Sequence, residues 1–240
     1  MPDVALWRRL LAEFLGTGLL VSVVVGSGVM ATTLSPDDVG LQLVENSLAT
    51  ALALGVLILV FAPISGAHFN PVVTAVAWLT AKRTTPLADA GAYVAVQIVG
   101  GIAGAVLANL VFDQPAVAWS TTERAAGHLW LGEVVATAGL VLVIFALVRA
   151  GRTAAIPAAV GAYIGAAYWF TSSTSFANPA VTIGRAFTDT FAGIAPTSVP
   201  AFVLAQLVGA GLGLGIVLLL HPRRVAQPIP TTTELSRNPR

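Results

Sequence analysis

The chain has 240 residues, of which 56% are hydrophobic and only 10% are charged. A typical soluble domain carries about 25% charged residues, so this composition excludes a soluble globular fold and indicates an integral membrane protein. The net charge of +1 and the lack of cysteine give no reason to expect a nucleic-acid partner, a disulfide or a thiolate metal site.

Long apolar segments predict six membrane-spanning helices. In chain order they cover about residues 10–30, 43–61, 87–111, 129–148, 154–170 and 199–220. A shorter helix is predicted after the second span, over about 70–80, and another after the fifth, over about 178–187. Each would rise about 15 Å, half of the roughly 30 Å hydrocarbon core. The sequence therefore predicts an all-α membrane protein with six transmembrane helices and two half-helices.

Both half-helices begin with an Asn-Pro step, in Asn70-Pro71-Val72-Val73-Thr74 and in Asn178-Pro179-Ala180-Val181-Thr182. Asn is a preferred N-cap, and Pro is favoured at the first helical position because its missing N–H would be unpaired there anyway. The loops that precede them, 63–69 and 171–177, would be non-helical backbone at membrane depth. Such backbone is tolerated only where it lines a cavity.

The two halves of the chain repeat each other. Glu13-x-x-x-Thr17 recurs as Glu133-x-x-x-Thr137, and Gln97 is matched by Gln206. We expect one channel domain over residues 1–222, with repeats at about 8–115 and 124–222, followed by a disordered cytoplasmic tail at 223–240. Because each repeat holds three spans, the second must insert upside down, and the two half-helices then meet with their N-termini at the midplane.

Two helix N-termini at mid-membrane place two partial positive charges there, and a cation would meet an electrostatic barrier. As caps, Asn70 and Asn178 would use their side-chain oxygens and leave the NH₂ groups free to point into the lumen. Carbonyl groups of the loops would add acceptors. This arrangement suits water and small polyhydroxylated solutes and suits ions poorly.

Basic residues predict the orientation. Ten of the twelve Lys and Arg residues fall on one side of the predicted spans, and Arg124 and Arg185 fall on the other. By the positive-inside rule, we expect both termini to be cytoplasmic.

The paired Asn-Pro motifs, Ser65-Gly66-Ala67-His68-Phe69, Ala12-Glu13-Phe14-Leu15-Gly16-Thr17 and Gln97 with Gln206 together resemble the aquaporin and aquaglyceroporin (major intrinsic protein) family. The resemblance covers Arg8 to Leu220. It implies a homotetramer with one pore per protomer in the lipid bilayer. It further implies that Glu13 and Glu133 each accept hydrogen bonds from an Asn-Pro loop, and that His68 lines the inner vestibule.

The chain departs from the family at the outer filter. Val72 replaces the usual Ala, and Val181 stands where relatives place an Arg after Asn-Pro-Ala. By family spacing the other filter positions are Thr50, Ser175 and Ala166, or Tyr168 if a loop differs by two residues. This set implies a wide, weakly polar pore. The pattern resembles a bacterial subgroup associated with arsenic resistance, which implies arsenite and glycerol as solutes, with water, in the bacterial plasma membrane.

Other readings remain open at this point. Arg185 and Asp189 have the spacing of an ordinary helical pair, although Arg185 could also act as a displaced filter Arg. A water-selective channel is one alternative, and a secondary transporter, which also uses broken helices, is another. We expect no enzyme, cofactor or metal, because no nucleophile–base pair or ligand set falls within the spans.

Overall fold

The computed structural model describes residues 4–81 and 86–221 of the chain. In these two ranges it contains eight α-helices: α1 (Leu6–Leu34), α2 (Val39–Ser65), α3 (Pro71–Ala81), α4 (Leu87–Val111), α5 (Gly127–Arg149), α6 (Ile156–Phe170), α7 (Pro179–Gly184) and α8 (Val199–Leu220). Short 3₁₀ turns at Thr153–Ala155, Arg185–Phe187 and Pro196–Ser198 adjoin α6, α7 and α8.

The predicted fold class is confirmed. Six helices are long and apolar enough to cross a membrane, α6 together with its preceding 3₁₀ turn, and α3 and α7 are the two short helices that follow the second and fifth of them. The boundaries differ most at α1 and α2, each of which extends four residues beyond its predicted range at both ends. At its C-terminal end α2 continues through Pro63 and ends at Ser65. Gly66 then adopts a left-handed conformation with φ 90°, which Gly tolerates without strain. The predicted tail at 223–240 and the Lys82-Arg83 pair lie outside the described residues.

The internal repeat is visible in how the helices pack. In the first half α1 packs against α4, and in the second half α5 packs against α8. A Cβ atom added to Gly100 would lie 2.5 Å from the carbonyl oxygen of Phe14, and one added to the equivalent Gly209 would lie 2.5 Å from that of Val134. Glycine is therefore needed at both positions, because each pair of helices approaches backbone to backbone.

Two contacts identify one side of the bundle. Arg9 of α1 forms an ion pair with Asp89 at the start of α4, with 3.0 Å between Nη2 and Oδ2. Arg149, at the end of α5, donates a hydrogen bond to the backbone carbonyl of His221 after α8. We call this the inner side, since both ends of the described chain lie there, and we call the opposite side outer.

Candidate functional site

A cavity of about 490 Å³ lies between the two halves of the bundle. Its inner end is lined by Ala81 of α3 and Arg149 of α5, and its outer end is lined by Tyr168 and Arg185. Long helices contribute mainly apolar side chains to the wall, whereas the polar groups at its centre come from the two Asn-Pro loops and the asparagines that end them. The loops thus bring hydrogen-bonding groups to the middle of an apolar passage.

Asn70 and Asn178 meet in this cavity. Nδ2 of Asn70 donates to the carbonyl of Ala177 at 2.8 Å, and Nδ2 of Asn178 donates to the carbonyl of Phe69 at 2.7 Å. Each side-chain oxygen caps its own helix, accepting from Val72 N at 3.0 Å in one case and from Ala180 N at 2.9 Å in the other. The expectation of fully free NH₂ groups is therefore corrected: one N–H of each amide joins the two loops, and one remains for the lumen.

The backbone of both loops is constrained in the same way. Ala67 and Phe69 have φ angles of 50° and 51°, and Ser175 and Ala177 have 52° and 50°. These are the third and first residues before each asparagine, and a left-handed conformation at a non-glycine residue costs about 1–2 kcal/mol. Since the surrounding structure must hold such residues in place, the loops depend on external bracing.

Glu13 and Glu133 provide that bracing. Glu13 accepts hydrogen bonds from the backbone N–H groups of His68, at 3.0 Å, and Phe69, at 2.7 Å. Glu133 accepts from the equivalent Phe176 and Ala177, both at 2.9 Å. Charge-assisted bonds of this kind are about twice as strong as neutral ones. The two carboxylates therefore fix the loop carbonyls from behind the cavity wall.

The glutamines of the repeat complete each brace. Nε2 of Gln97 donates to Glu13 and to Thr74 Oγ1, at 2.8 and 2.9 Å. Nε2 of Gln206 donates to Glu133 and to Thr182 Oγ1, at 2.6 and 2.8 Å. Each glutamine thus connects a carboxylate to the half-helix that follows its loop.

The outer part of the cavity is lined by Thr50, Tyr168, Ser175 and Val181. The Tyr168 hydroxyl donates to Thr50 Oγ1 at 3.2 Å, and both side chains are buried. Val181 faces the cavity from the first turn of α7. These residues come from three different helices and one loop, and we refer to them with Arg185 as the outer group.

Ala166 does not belong to the outer group, so the prediction for it is wrong. It lies on the exposed face of α6, whereas Tyr168, two residues later, is buried and faces the cavity. A shift of two residues rotates a helical position by about 200°. Val72, Pro71, Pro179 and Ala180 are buried beside the asparagines but do not line the cavity.

The predicted helical pair between Arg185 and Asp189 is not formed. The α-helix ends at Gly184 and Thr188 is extended, so the two side chains do not share a helical face. Asp189 instead accepts from the backbone N–H of Thr121 at 2.8 Å. Arg185 is buried at 3% exposure, lines the cavity and donates from Nε to the carbonyl of Ala192.

Phe176 holds two guanidinium groups near the outer end of the cavity. The Cζ atom of Arg185 lies 3.4 Å from its ring centroid, and that of Arg124 lies 5.0 Å from it. Arg124 is fixed by a 3.0 Å hydrogen bond from Nε to the carbonyl of Gly193. Burial lowers the pKa of Arg124 from its ordinary value, but a guanidinium remains protonated in proteins. The outer end of the cavity is therefore electropositive.

His68 lines the inner half of the cavity, where it was expected. Its Nδ1 lies 3.1 Å from Thr74 Oγ1, and its ring centroid lies 5.5 Å from that of Tyr93. Over residues 4–81 and 86–221 the structure brings together no group of three His, Cys, Asp or Glu side chains that could hold a metal ion.

Sequence reasoning missed the acceptors of the central pair and the aromatic ring beside the arginines. The carbonyls of Phe69 and Ala177 carry no residue-specific signal, because any residue type could supply them. Phe176 was detectable in principle, since the repeat aligns it with His68, which was singled out.

Comparison with known proteins agrees with this architecture. Residues 1–176 match the family model described as "Major intrinsic protein". The chain is 50% identical to an aquaglyceroporin (AqpS) of Rhizobium meliloti (strain 1021), over 97% of this chain and 99% of the relative. It is 30% identical to a glycerol uptake facilitator protein of Pseudomonas aeruginosa, over 98% of each. The solved structure of the Plasmodium falciparum aquaglyceroporin has a TM-score of 0.66 and 22% identity, and it covers 89% of this chain and 96% of that one.

Proposed function

The chain belongs to the major intrinsic protein family, and on this basis we propose that it is a passive channel for small uncharged solutes. The channel is one domain over residues 1–222, built from repeats at about 8–115 and 124–222. Arsenite as the undissociated hydroxide, other metalloid hydroxides and glycerol pass through it, together with water.

The observation that carries this proposal is the central pair of asparagines. Both Asn70 and Asn178 line the same cavity, and each retains one N–H for a passing oxygen atom. The N-termini of α3 and α7 begin at these residues and add two partial positive charges of about half an elementary charge each. A neutral solute can exchange its water hydrogen bonds for these donors, whereas a cation meets a barrier.

The outer group supports a pore wider than one that passes water alone. Val181 presents an apolar side chain where the family resemblance implies an Arg, and Thr50 replaces a large aromatic residue. The large side chains on this part of the wall are therefore Tyr168 and Arg185. The names of the relatives from R. meliloti and P. aeruginosa support glycerol-sized permeants.

We further propose that the protein is a homotetramer in the bacterial plasma membrane with both termini cytoplasmic. Leu52 and Leu59 are 64% and 61% exposed on α2, an outward apolar surface that lipid or a neighbouring protomer would cover. The cytoplasmic side would then be the inner side, which carries Arg9 and Arg149.

The experiment is stopped-flow light scattering on proteoliposomes, with water, glycerol and trivalent arsenite on one preparation. The wild-type protein is expected to pass all three, and Asn178→Asp is expected to abolish entry of the two solutes. The aspartate retains the cap but cannot donate to the carbonyl of Phe69, and it adds a negative charge at the centre. Leu204→Ala, a change on the outward surface of α8, is the matched control and should leave all three rates unchanged.

Two results would contradict the proposal. If the wild-type protein passes water but neither solute, the channel is water-selective. If solute entry accelerates with an imposed proton or sodium gradient, the protein is a secondary transporter and not a passive pore.

A further inference from the structure

We propose that Arg185 determines the solute specificity of the pore, by binding solutes that present two neighbouring oxygen atoms. This inference rests on the proposed channel function and concerns the outer group of that channel. Arg185 lies four positions after Val181. The chain therefore has an uncharged side chain at position 181 and a positive charge one helical turn later.

The guanidinium of Arg185 has donors to spare. Nε is occupied by the carbonyl of Ala192. Among the described residues, Nη1 and Nη2 of Arg185 have no hydrogen-bond partner, and neither nitrogen is fully buried. Arg185 lines the cavity. These two nitrogens are therefore available to donate to a solute in the cavity.

The orientation of this group is fixed before any solute arrives. One side of the guanidinium lies against the Phe176 ring, 3.4 Å from its centroid, and Nε is held by the Ala192 carbonyl. A planar guanidinium held in this way loses little conformational entropy on binding, and its fork matches two adjacent acceptors.

Ser175 supplies an independent observation at the same place. Its Oγ is buried, lines the cavity and has no hydrogen-bond partner among the described residues. An unpaired buried hydroxyl is costly, so a ligand that completes its hydrogen bonding is favoured. Arg185 and Ser175 together form a small polar site in a largely apolar wall.

The chemistry of this site selects among uncharged solutes. A polyol or a metalloid trihydroxide offers two oxygen acceptors close together, which the guanidinium fork can bind at once. Urea, although small and uncharged, offers one oxygen acceptor and otherwise N–H donors, which Arg cannot accept. Arg185 therefore favours oxygen-rich solutes over urea, and the positive charge it shares with Arg124 disfavours cations.

The experiment measures glycerol and urea permeability on the same proteoliposomes and takes their ratio. In Arg185→Met the ratio is expected to fall about tenfold, since the charge-assisted bonds to glycerol are lost while urea gains space. In Arg185→Lys, which keeps the charge but loses the fork, it should fall about threefold. Water permeability should stay within about twofold of the wild type in both, because water needs no fork.

Arg152→Met is the matched control, because Arg152 is exposed on the inner side and does not line the cavity. Its ratio should equal that of the wild type. An unchanged ratio in Arg185→Met, with both solutes still passing, overturns the assignment and leaves the channel function intact. If Arg185→Met does not fold, Arg185→Lys decides the question by the same criterion. A wild-type protein that passes neither solute overturns the proposed function, and this assignment with it.

Discussion

The two Asn-Pro loops share one frame but differ in what they present to the cavity. In both, a buried glutamate accepts two backbone N–H groups and a glutamine N–H. In the inner loop this frame carries His68, while in the outer loop it carries Ser175 and Phe176, with Arg185 packed on the phenylalanine.

The comparison separates two tasks. The part that the halves share sets the position of the asparagines at the centre, where symmetric dipoles are needed. The part that differs lies on either side of that centre, with His68 toward the inner end of the cavity and the outer group toward the outer end. We therefore expect symmetric substitutions to change stability in both halves, and outer-group substitutions to change selectivity with little change in stability.

The largest effect is expected from Glu13→Gln and Glu133→Gln. Glutamine replaces one acceptor oxygen with an NH₂ group, which then faces a backbone N–H and leaves buried donors unpaired. Each change should lower the free energy of unfolding by about 2–5 kcal/mol. Glu13→Gln should cost more, since Ser65 Oγ also donates to Glu13, at 2.6 Å. Thermal unfolding in detergent measures both.

Equal losses at the two positions would contradict the role given to Ser65. A transition midpoint equal to that of the wild type in either variant would show that the carboxylate does not hold its loop.

A smaller and equal loss is expected from Gly100→Ala and Gly209→Ala. In each case the new methyl group would meet a carbonyl oxygen at 2.5 Å, so the helices must separate, at a cost of about 1–3 kcal/mol. Gly211→Ala on the same α8 meets nothing within 4 Å and is the matched control. Its midpoint should equal or exceed that of the wild type, because Ala favours a helix. Unequal losses at Gly100 and Gly209 would contradict the inference that the two helix pairs pack equally closely.

Much of this architecture could be predicted from the sequence, because it depends on patterns that the sequence displays. Hydropathy predicts the six spans, with α4 and α8 bounded as expected. The recurrence of glutamate, glutamine and Asn-Pro in one order predicts the inverted repeat. The glutamate and glutamine that hold each Asn-Pro loop could be predicted, because each is a polar residue in an apolar segment.

The errors arose where a position depends on how a helix turns or ends. Ala166 was placed by counting back from Asn178, and a difference of two loop residues moved the site to Tyr168. The pairing of Arg185 with Asp189 assumed that α7 continued, although Thr188 and Asp189 are residues that favour turns. The contact between Arg185 and Phe176 could not be predicted, because it depends on the 3₁₀ turn at Arg185–Phe187 that follows α7.

The next effect in size is expected from Val181→Arg, which should change the selectivity of the pore between solutes and water. Val181 lines the outer cavity, so a guanidinium there narrows the passage and should lower glycerol and arsenite entry about tenfold, or about 1.4 kcal/mol in barrier. Water entry should fall less. Val181→Leu, which adds bulk without charge, is the control and should retain most of the solute flux. If neither flux changes in Val181→Arg, the outer group has been placed wrongly.

The smallest effect is expected from Tyr168→Phe, and it tests the corrected position on α6. The change removes the hydrogen bond to Thr50 at 3.2 Å and keeps the ring. The freed Thr50 hydroxyl can then bind a passing oxygen, so glycerol entry should rise about twofold, as expected for a neutral hydrogen bond worth about 0.5 kcal/mol. Ala166→Leu, on the exposed face of the same helix, should leave entry unchanged. If Ala166→Leu alters solute entry and Tyr168→Phe does not, then Ala166 belongs to the pore wall after all, and the outer half would follow the spacing predicted from the sequence.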